Sequence, residues 1–247
     1  MTGTRLAIVS DVHGNLSALE AVIDDIERRR IERVVHGGDL ALGGAQPGQV
    51  IDRVRELGWP GVVGNVDELL WRPEEHASQR QRAPKLHDLL GVLFEQHAPA
   101  TRELLGTERI AWLRTLPCEW REHDLTVVHA RPGDLWHAPL PDADDAQLAS
   151  TYGRCGAPTV VYGHIHRPFV RRIGDLTVAN SGSVGSPFDG DPRASYLLAD
   201  AGEPEVVRVE YDVEREVSLR LGSGYPDAAR IAETRRQGRF VRVESSQ

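Results

Sequence analysis

Short runs of β-branched apolar residues alternate, over the first part of the chain, with stretches of helical spacing. Ile8-Val9, Val34-Val35, Val62-Val63, Val127-Val128 and Val160-Val161 read as the ends of strands. After the first of these, Leu16, Leu19, Val22, Ile23 and Ile26 recur at helical spacing while Asp24, Asp25 and Arg28 to Arg30 take the opposite face, which predicts an amphipathic crossover helix over 15–30. Its basic triplet sits where the macrodipole favours positive charge. Val50, Ile51, Val54 and Leu57 predict a second helix, ended by Gly58 before the strand Gly61-Val62-Val63. Residues 68–116 are rich in Leu, Arg, Gln and His with helical periodicity and read as a helical cap, whose His76, His87 and His97 read as packed or exposed side chains.

The second half changes character. Leu125 to Val128, Pro158 to Tyr162, Phe169 to Ile173, Leu176 to Ala179, Ser195 to Ala199 and Val206 to Tyr211 are short strands joined by tight loops, with Gly174-Asp175 as a hairpin turn. Parallel βαβ units followed by antiparallel hairpins predict an α/β fold of two packed mixed sheets flanked by helices. We expect one domain over 1–247, with a C-terminal helix at 227–238 and a loosely paired tail at 239–247.

The strand ends share a chemistry. Ser10-Asp11-Val12-His13-Gly14, Gly37-Gly38-Asp39, Gly64-Asn65-Val66-Asp67, Val128-His129 and Gly163-His164-Ile165-His166 each follow an apolar run and offer only oxygen or imidazole donors. Open α/β folds place their sites at the carboxyl ends of strands. Asp11 and His13 alternate by two, as do His164 and His166, so extended backbone would point each pair to one face. Two Asp, one Asn and four His suffice for two divalent cations sharing a carboxylate, a hydrolytic centre.

These segments together resemble the signature set of the calcineurin-like metallophosphoesterase superfamily. Asn180 to Ser183 and Asp191 to Tyr196 are similar to a small bacterial phosphoesterase branch of it. The resemblance spans about residues 5–212 and implies the four-layer αββα metallophosphoesterase fold with a helical cap insertion. It also implies the ligand set: Asp39 bridging, Asp11, His13 and His166 on one ion, and Asn65, His129 and His164 on the other. Donors of this type suit Mn first, with Fe, Zn and Mg as alternatives. The implied activity is hydrolysis of phosphate mono- or diesters, diesters favoured, by a metal-bridging hydroxide, on a small phosphorylated substrate. Dinucleoside polyphosphate hydrolysis, phosphoprotein dephosphorylation and a non-catalytic scaffold on the same fold remain alternatives.

Three further residues bear on catalysis. Asp67 either orients a ligand or caps the helix that starts beside it. Arg131, two residues past His129, is either a phosphate-binding cation at the mouth or a surface arginine in a Pro-Gly loop, and Arg167 is a weaker candidate of the same kind. Many superfamily members carry a histidine between the Asn and Asp of the third motif, where this chain has Val66, so the proton donor of that position is missing. Trp71 and Trp136 either stack a ring at the rim or anchor the cap, and Asn180 to Ser183 reads as support beneath the ligand loops.

Composition narrows the partners. Lys and Arg number 29 against 37 Asp and Glu, a net charge of -8, which disfavours nucleic acid bound through a broad basic surface. Cys118 and Cys155 lack metal-type spacing and read as inert, fitting a cytoplasmic setting. No apolar stretch approaches membrane-spanning length and no charged-then-apolar leader precedes Arg5, so neither membrane nor export is expected.

Overall fold

β1 (Leu6–Val9) is buried along its whole length because its two faces enter two different cores. Leu6 and Ile8 meet Val127, Val161 and Ala179 between the sheets, whereas Ala7 and Val9 pack beneath helices. A strand covered on both sides needs a continuous apolar run, and Leu6-Ala7-Ile8-Val9 supplies one. The computed structural model describes residues 5–199 and 204–242.

Along the chain, β1 is followed by α1 (Leu16–Arg28), β2 (Arg33–His36), α2 (Pro47–Glu56), α3 (Asn65–Glu68), α4 (Glu75–Arg82), α5 (His87–Val92) and α6 (Ala98–Leu113). A π-helical turn over Leu93–His97 joins α5 to α6. Then come β3 (Glu119–Glu122), β4 (Leu125–Val128), α7 (Asp145–Tyr152), β5 (Thr159–Tyr162), β6 (Phe169–Ile173), β7 (Leu176–Asn180), β8 (Ala194–Ala199), β9 (Glu205–Val209), α8 (Val213–Gly222) and α9 (Ala228–Gln237). One sheet runs β2-β1-β8-β9 and the other β3-β4-β5-β7-β6. Pairs β1–β2, β4–β5 and β5–β7 are parallel and the rest antiparallel, so both sheets are mixed.

α1 follows its sequence pattern closely. Asn15 caps it, its Oδ1 accepting from the Ala18 amide at 2.9 Å, and Ala18, Leu19, Val22, Ile23 and Ile26 are its buried face. Leu90, Phe94, Ala98, Leu105 and Leu113, from the helical stretch after α3, join the same core as α1 and α2. On the far side, Leu148 and Tyr152 of α7 cover Val128, Val160 and Val178. Two sheets with helices outside each complete the αββα layering.

Several elements depart from expectation. The strand ending at Val62-Val63 is reduced to a single parallel bridge between Gly61 and His36, since Pro60 has no amide to extend the ladder. β3 has the polar sequence Glu-Trp-Arg-Glu at a sheet edge and carries no apolar run to signal it. α8 is equally hidden, because two of its three buried positions are Glu216 and Arg220. Of the C-terminal tail, residues 239–242 are irregular and 243–247 lie outside the described residues. Among the described residues no helix is long and apolar enough to cross a membrane.

Candidate metal centre

Every parallel strand delivers its last residues to one edge, where the two sheets meet. The loops there are stitched to one another through backbone: the Asp11 amide donates to Gly38 O and the His13 amide to Asp39 O, both at 3.0 Å, and the Gly163 amide donates to His129 O at 2.9 Å. Ser183 Oγ donates to Asp11 O at 2.7 Å and accepts from the Ser186 amide, while Asn180 Nδ2 donates to Gly163 O. The Asn180 to Ser183 stretch therefore braces the loops from beneath.

The extended-backbone reading of Asp11/His13 and His164/His166 is corrected by their geometry. Asp11, His13, Asp39, His164 and His166 all have φ between 51° and 65°. A left-handed conformation costs a residue with a side chain about 1–3 kcal/mol and clusters at functional sites. Here sharp turns, not strand alternation, aim the side chains inward. Close approach also demands glycine: a Cβ on Gly64 would stand 2.0 Å from Asp39 Oδ1, and one on Gly163 would stand 2.5 Å from Asp11 Oδ2.

All seven nominated ligands converge. Donor atoms of Asp11, His13, Asp39 and His166 lie within 4.8 Å of one another. Beside them Asn65 Oδ1 is 2.9 Å from both His129 Nε2 and His164 Nδ1. Asp39 stands between the groups, its Oδ2 3.4 Å from His129 Nε2 and 3.8 Å from His13 Nε2, while its Oδ1 accepts from the Val66 amide at 3.0 Å.

The tautomers show what this arrangement is for. His13 Nδ1 is bonded to Leu42 O at 2.7 Å, His129 Nδ1 to Gly37 O at 2.8 Å, and His166 Nδ1 to Ser186 O. A carbonyl can only accept, so each Nδ1 carries hydrogen and each ring turns its Nε2 inward, where the ring in its neutral form offers a lone pair. His13 Nε2 and His166 Nε2 then face each other at 3.1 Å. Two lone pairs at that distance repel unless a proton or a cation lies by them. Carboxylate, amide oxygen and imidazole without thiolate fit a hard or borderline divalent ion.

The electrostatics run the same way. Burial pushes His13 and His164 down to about 4, aided by His166 for the former and His129 for the latter, which leaves both rings neutral. Burial also opposes protonation of His129, but Asp39 and Asp11 overcome it and raise that ring to about 9. Asp11 and Asp39 fall below the usual carboxylate range: burial would lift them, and the neighbouring imidazoles, led by His166 and His129 respectively, prevail. Each carboxylate is thus charged and each ligand-type imidazole is set against it.

The remaining nominations scatter. Asp67 touches no imidazole: its carboxylate accepts from the amides of Leu40 at 3.1 Å and Gly64 at 3.3 Å, so it holds the Asp39 loop and the start of α3 through backbone. Burial and Asp39 raise it to about 7. Arg131 pairs with Asp134 at 2.7 Å and does not line the cavity over the cluster. Arg167 is exposed, bonded to Phe188 O. Trp71 and Trp136 pack on the helical core, Trp136 stacking on Phe94.

That cavity, about 190 Å³, has His13, Asp39, Asn65, His164 and His166 on one side. Its other walls are Val66, Leu89, Leu93 and His97 from the helical stretch, Phe188, and Arg230, Ile231, Thr234, Arg235 and Phe240 from the C-terminal part. Sequence reading placed no functional role on α9. Nothing local marks Arg235 among the chain's many arginines, and only the packing of α9 over the cluster reveals it.

Comparison with known proteins agrees with this geometry. The profile of the calcineurin-like phosphoesterase superfamily domain matches residues 4–203. An uncharacterized protein of Methanocaldococcus jannaschii is 30% identical over 250 residues, spanning 92% of this chain and 96% of its own. The phosphodiesterase YfcE of Escherichia coli K12 is 24% identical over 206 residues, 79% of this chain and 87% of its own. The crystal structure of a metallophosphoesterase from Sphaerobacter thermophilus superposes with a TM-score of 0.77 at 25% identity, covering 96% of this chain and 99% of that one. The chain belongs to the calcineurin-like phosphoesterase superfamily and is a metal-dependent phosphoester hydrolase.

Proposed function

We propose that the centre holds two divalent cations, with Mn favoured, and hydrolyses small phosphate esters, diesters in preference to monoesters. The observation that carries this reading is the pair of inward-facing Nε2 atoms 3.1 Å apart beside a carboxylate that reaches both halves of the cluster. Asp11, His13 and His166 would hold one ion, Asn65, His129 and His164 the other, and Asp39 both. Two such ions, when bound, supply Lewis acidity toward a phosphoryl oxygen and a hydroxide nucleophile near neutral pH.

The chain's own residues set the rest. Backbone carbonyls of Leu42, Gly37 and Ser186 fix three ring orientations, and Asp67 fixes the loop that carries Asp39. Val66 offers no proton at its place in the cavity wall, so leaving-group departure is unassisted there and esters with good leaving groups fare best. Arg131 has no part in this proposal, because its guanidinium is committed to Asp134 elsewhere. The preference for diesters draws support from the phosphodiesterase name of the Escherichia coli relative.

The test is hydrolysis of bis-p-nitrophenyl phosphate beside p-nitrophenyl phosphate by metal-stripped protein titrated with Mn²⁺. Turnover should saturate at about two ions per chain, favour the diester, and vanish in Asp39→Asn. Two bound ions without turnover on either ester would replace the hydrolase with a scaffold.

A further inference from the structure

Arg235 is the least satisfied cation lining the cavity over the metal centre. It is 2% exposed, and its Nε and Nη1 have no hydrogen-bond partner, while Nη2 reaches only His13 O at 3.4 Å. A buried guanidinium with two idle donor nitrogens is costly to keep unless something accepts from it. Arg235 lines the cavity over the cluster. Arg230, on the same wall, is occupied: it bonds Asp227 and Val241 O and lies over Phe240. The planar fork of an arginine suits two oxygens of one phosphoryl group.

Apart from His97, Thr234 and Ser186, the rest of the wall is apolar. Leu89, Leu93, Val66, Ile231, Phe188 and Phe240 face the cluster across a cavity of about 190 Å³. A dry apolar cavity of about 150 Å³ is enough to take benzene, so this one accommodates a single ring. Arg235 and the apolar wall residues other than Val66 come from parts of the chain that the ligand motifs do not specify. α9 and Phe240 lie beyond residue 203, where the family match ends.

We infer that the cavity takes a phosphoester with one compact apolar group: Arg235 receives a phosphoryl oxygen, and Leu89, Leu93, Phe188 and Phe240 enclose the group. This rests on the phosphoesterase reading and adds to it the class of substrate. A second ester group, where there is one, extends through the open side of the cavity.

The test is calorimetric binding of phenylphosphonate and methylphosphonate, neither hydrolysable, to the Mg-loaded protein. Phenylphosphonate should bind about tenfold tighter or more, the return for removing one ring from water. Arg235→Gln should weaken both ligands by about tenfold with the ratio retained, and Leu93→Gln should pull the ratio toward one. Equal affinity for the two ligands in the unaltered protein overturns the apolar pocket. Unchanged affinities in folded Arg235→Gln overturn the anion role. Should Arg235→Gln not fold, the Arg235 Nε–Hε resonance, assigned with Arg235→Lys, must shift when phenylphosphonate is added, and an unmoved resonance overturns the role equally. Binding with the expected ratio in a protein that cleaves neither nitrophenyl ester keeps this inference and removes the hydrolase. Turnover with equal phosphonate affinities does the reverse.

Discussion

The strand-end loops and the α8–α9 wall bury polar groups to the same degree but satisfy them differently. In the loops, carboxylates and ring nitrogens are held by amides and carbonyls from two or three separate segments, as when Asp39 Oδ1 accepts from Val66 and His13 Nδ1 bonds Leu42 O. In the wall, all three guanidinium nitrogens of Arg220, two of Arg235 and Glu216 Oε2 have no hydrogen-bond partner among the described residues. The loops spend backbone strain on fixed geometry, and the wall buries donors without partners, those of Arg235 at a cavity. On the proposed reading, a site assembled this way would hold its ions rigidly and leave the choice of substrate to a separately built face.

The sharpest way to break that contrast is to damage the loops at their shared residue. Asp39→Asn removes the charge that faces both halves of the cluster, whereas Asn65→Ala removes one neutral oxygen from one half. Asp39→Asn should therefore lose more bound metal and more turnover than Asn65→Ala, by more than the roughly 100-fold that loss of an outer partner costs. Metal analysis of both purified variants checks this, and equal content in the two would contradict the bridging position.

A second experiment separates the acid sensitivity of the sheet from that of the ligands. His36, at the end of β2, is fully buried with neither ring nitrogen bonded, and burial pushes it down to about 4 from 6.5. The unfolded chain takes up this proton near pH 6.5 and the folded protein resists until about 4. The contribution is therefore complete above 6.5 and lost as pH falls toward 4, an effect of ~3 kcal/mol. His36→Leu should flatten the drop in urea stability between pH 7.5 and 4.5 by about that amount. A variant with an unchanged drop would show that His36 is already protonated in the fold.

Val66 sits where the two regions meet, its amide on Asp39 and its side chain on the cavity. Val66→His should raise turnover on poor leaving groups more than on nitrophenyl esters, by about tenfold at most, below the 10²–10⁴ of a fully evolved acid. Uniform loss on both substrate types would mean that the apolar wall has no room for the ring.

How much of this was legible in the chain follows the same division. The seven proposed ligands stand in short local motifs that the sequence displays, but strand alternation misreads how Asp11, His13, His164 and His166 are aimed. Turns with φ near 50–65° cannot be read from spacing, because the neighbours that enforce them are remote: Gly185 and Ser183 bond Asp11 O from about 170 residues away. α1 was legible because its buried face is wholly apolar. α8 was not, because a helix that buries Glu216 and Arg220 has no apolar stripe to recognise. Arg131 and Arg235 could not be ranked from the sequence, since an arginine's role depends on which acceptor the fold sets beside it: Asp134 for one, an open cavity for the other.

The smallest expected effect tests whether the wall's unsatisfied cations are structural. Arg220 is 1% exposed, none of its guanidinium nitrogens is bonded, and its charge lies 3.9 Å over the Tyr225 ring. Burial lowers it to about 10, with Tyr225 opposing. The ring face contributes about 2 kcal/mol to this buried charge, and Glu216 and Asp227 act on it from further off, against the several kcal/mol it forfeits on leaving water. Arg220→Met keeps the length and removes the charge, so thermal unfolding should show a neutral or slightly stabilised protein, within about 1–2 kcal/mol, with bound metal unchanged. Arg220 lies outside the cavity lining, so phosphonate affinity should also hold, in contrast to Arg235→Gln. Loss of more than about 3 kcal/mol, the cost of stranding a partner charge, would show Arg220 neutralising Glu216 across α8. The wall would then be a closed ionic network like the loops, and the idle nitrogens of Arg235 would need a structural reading instead.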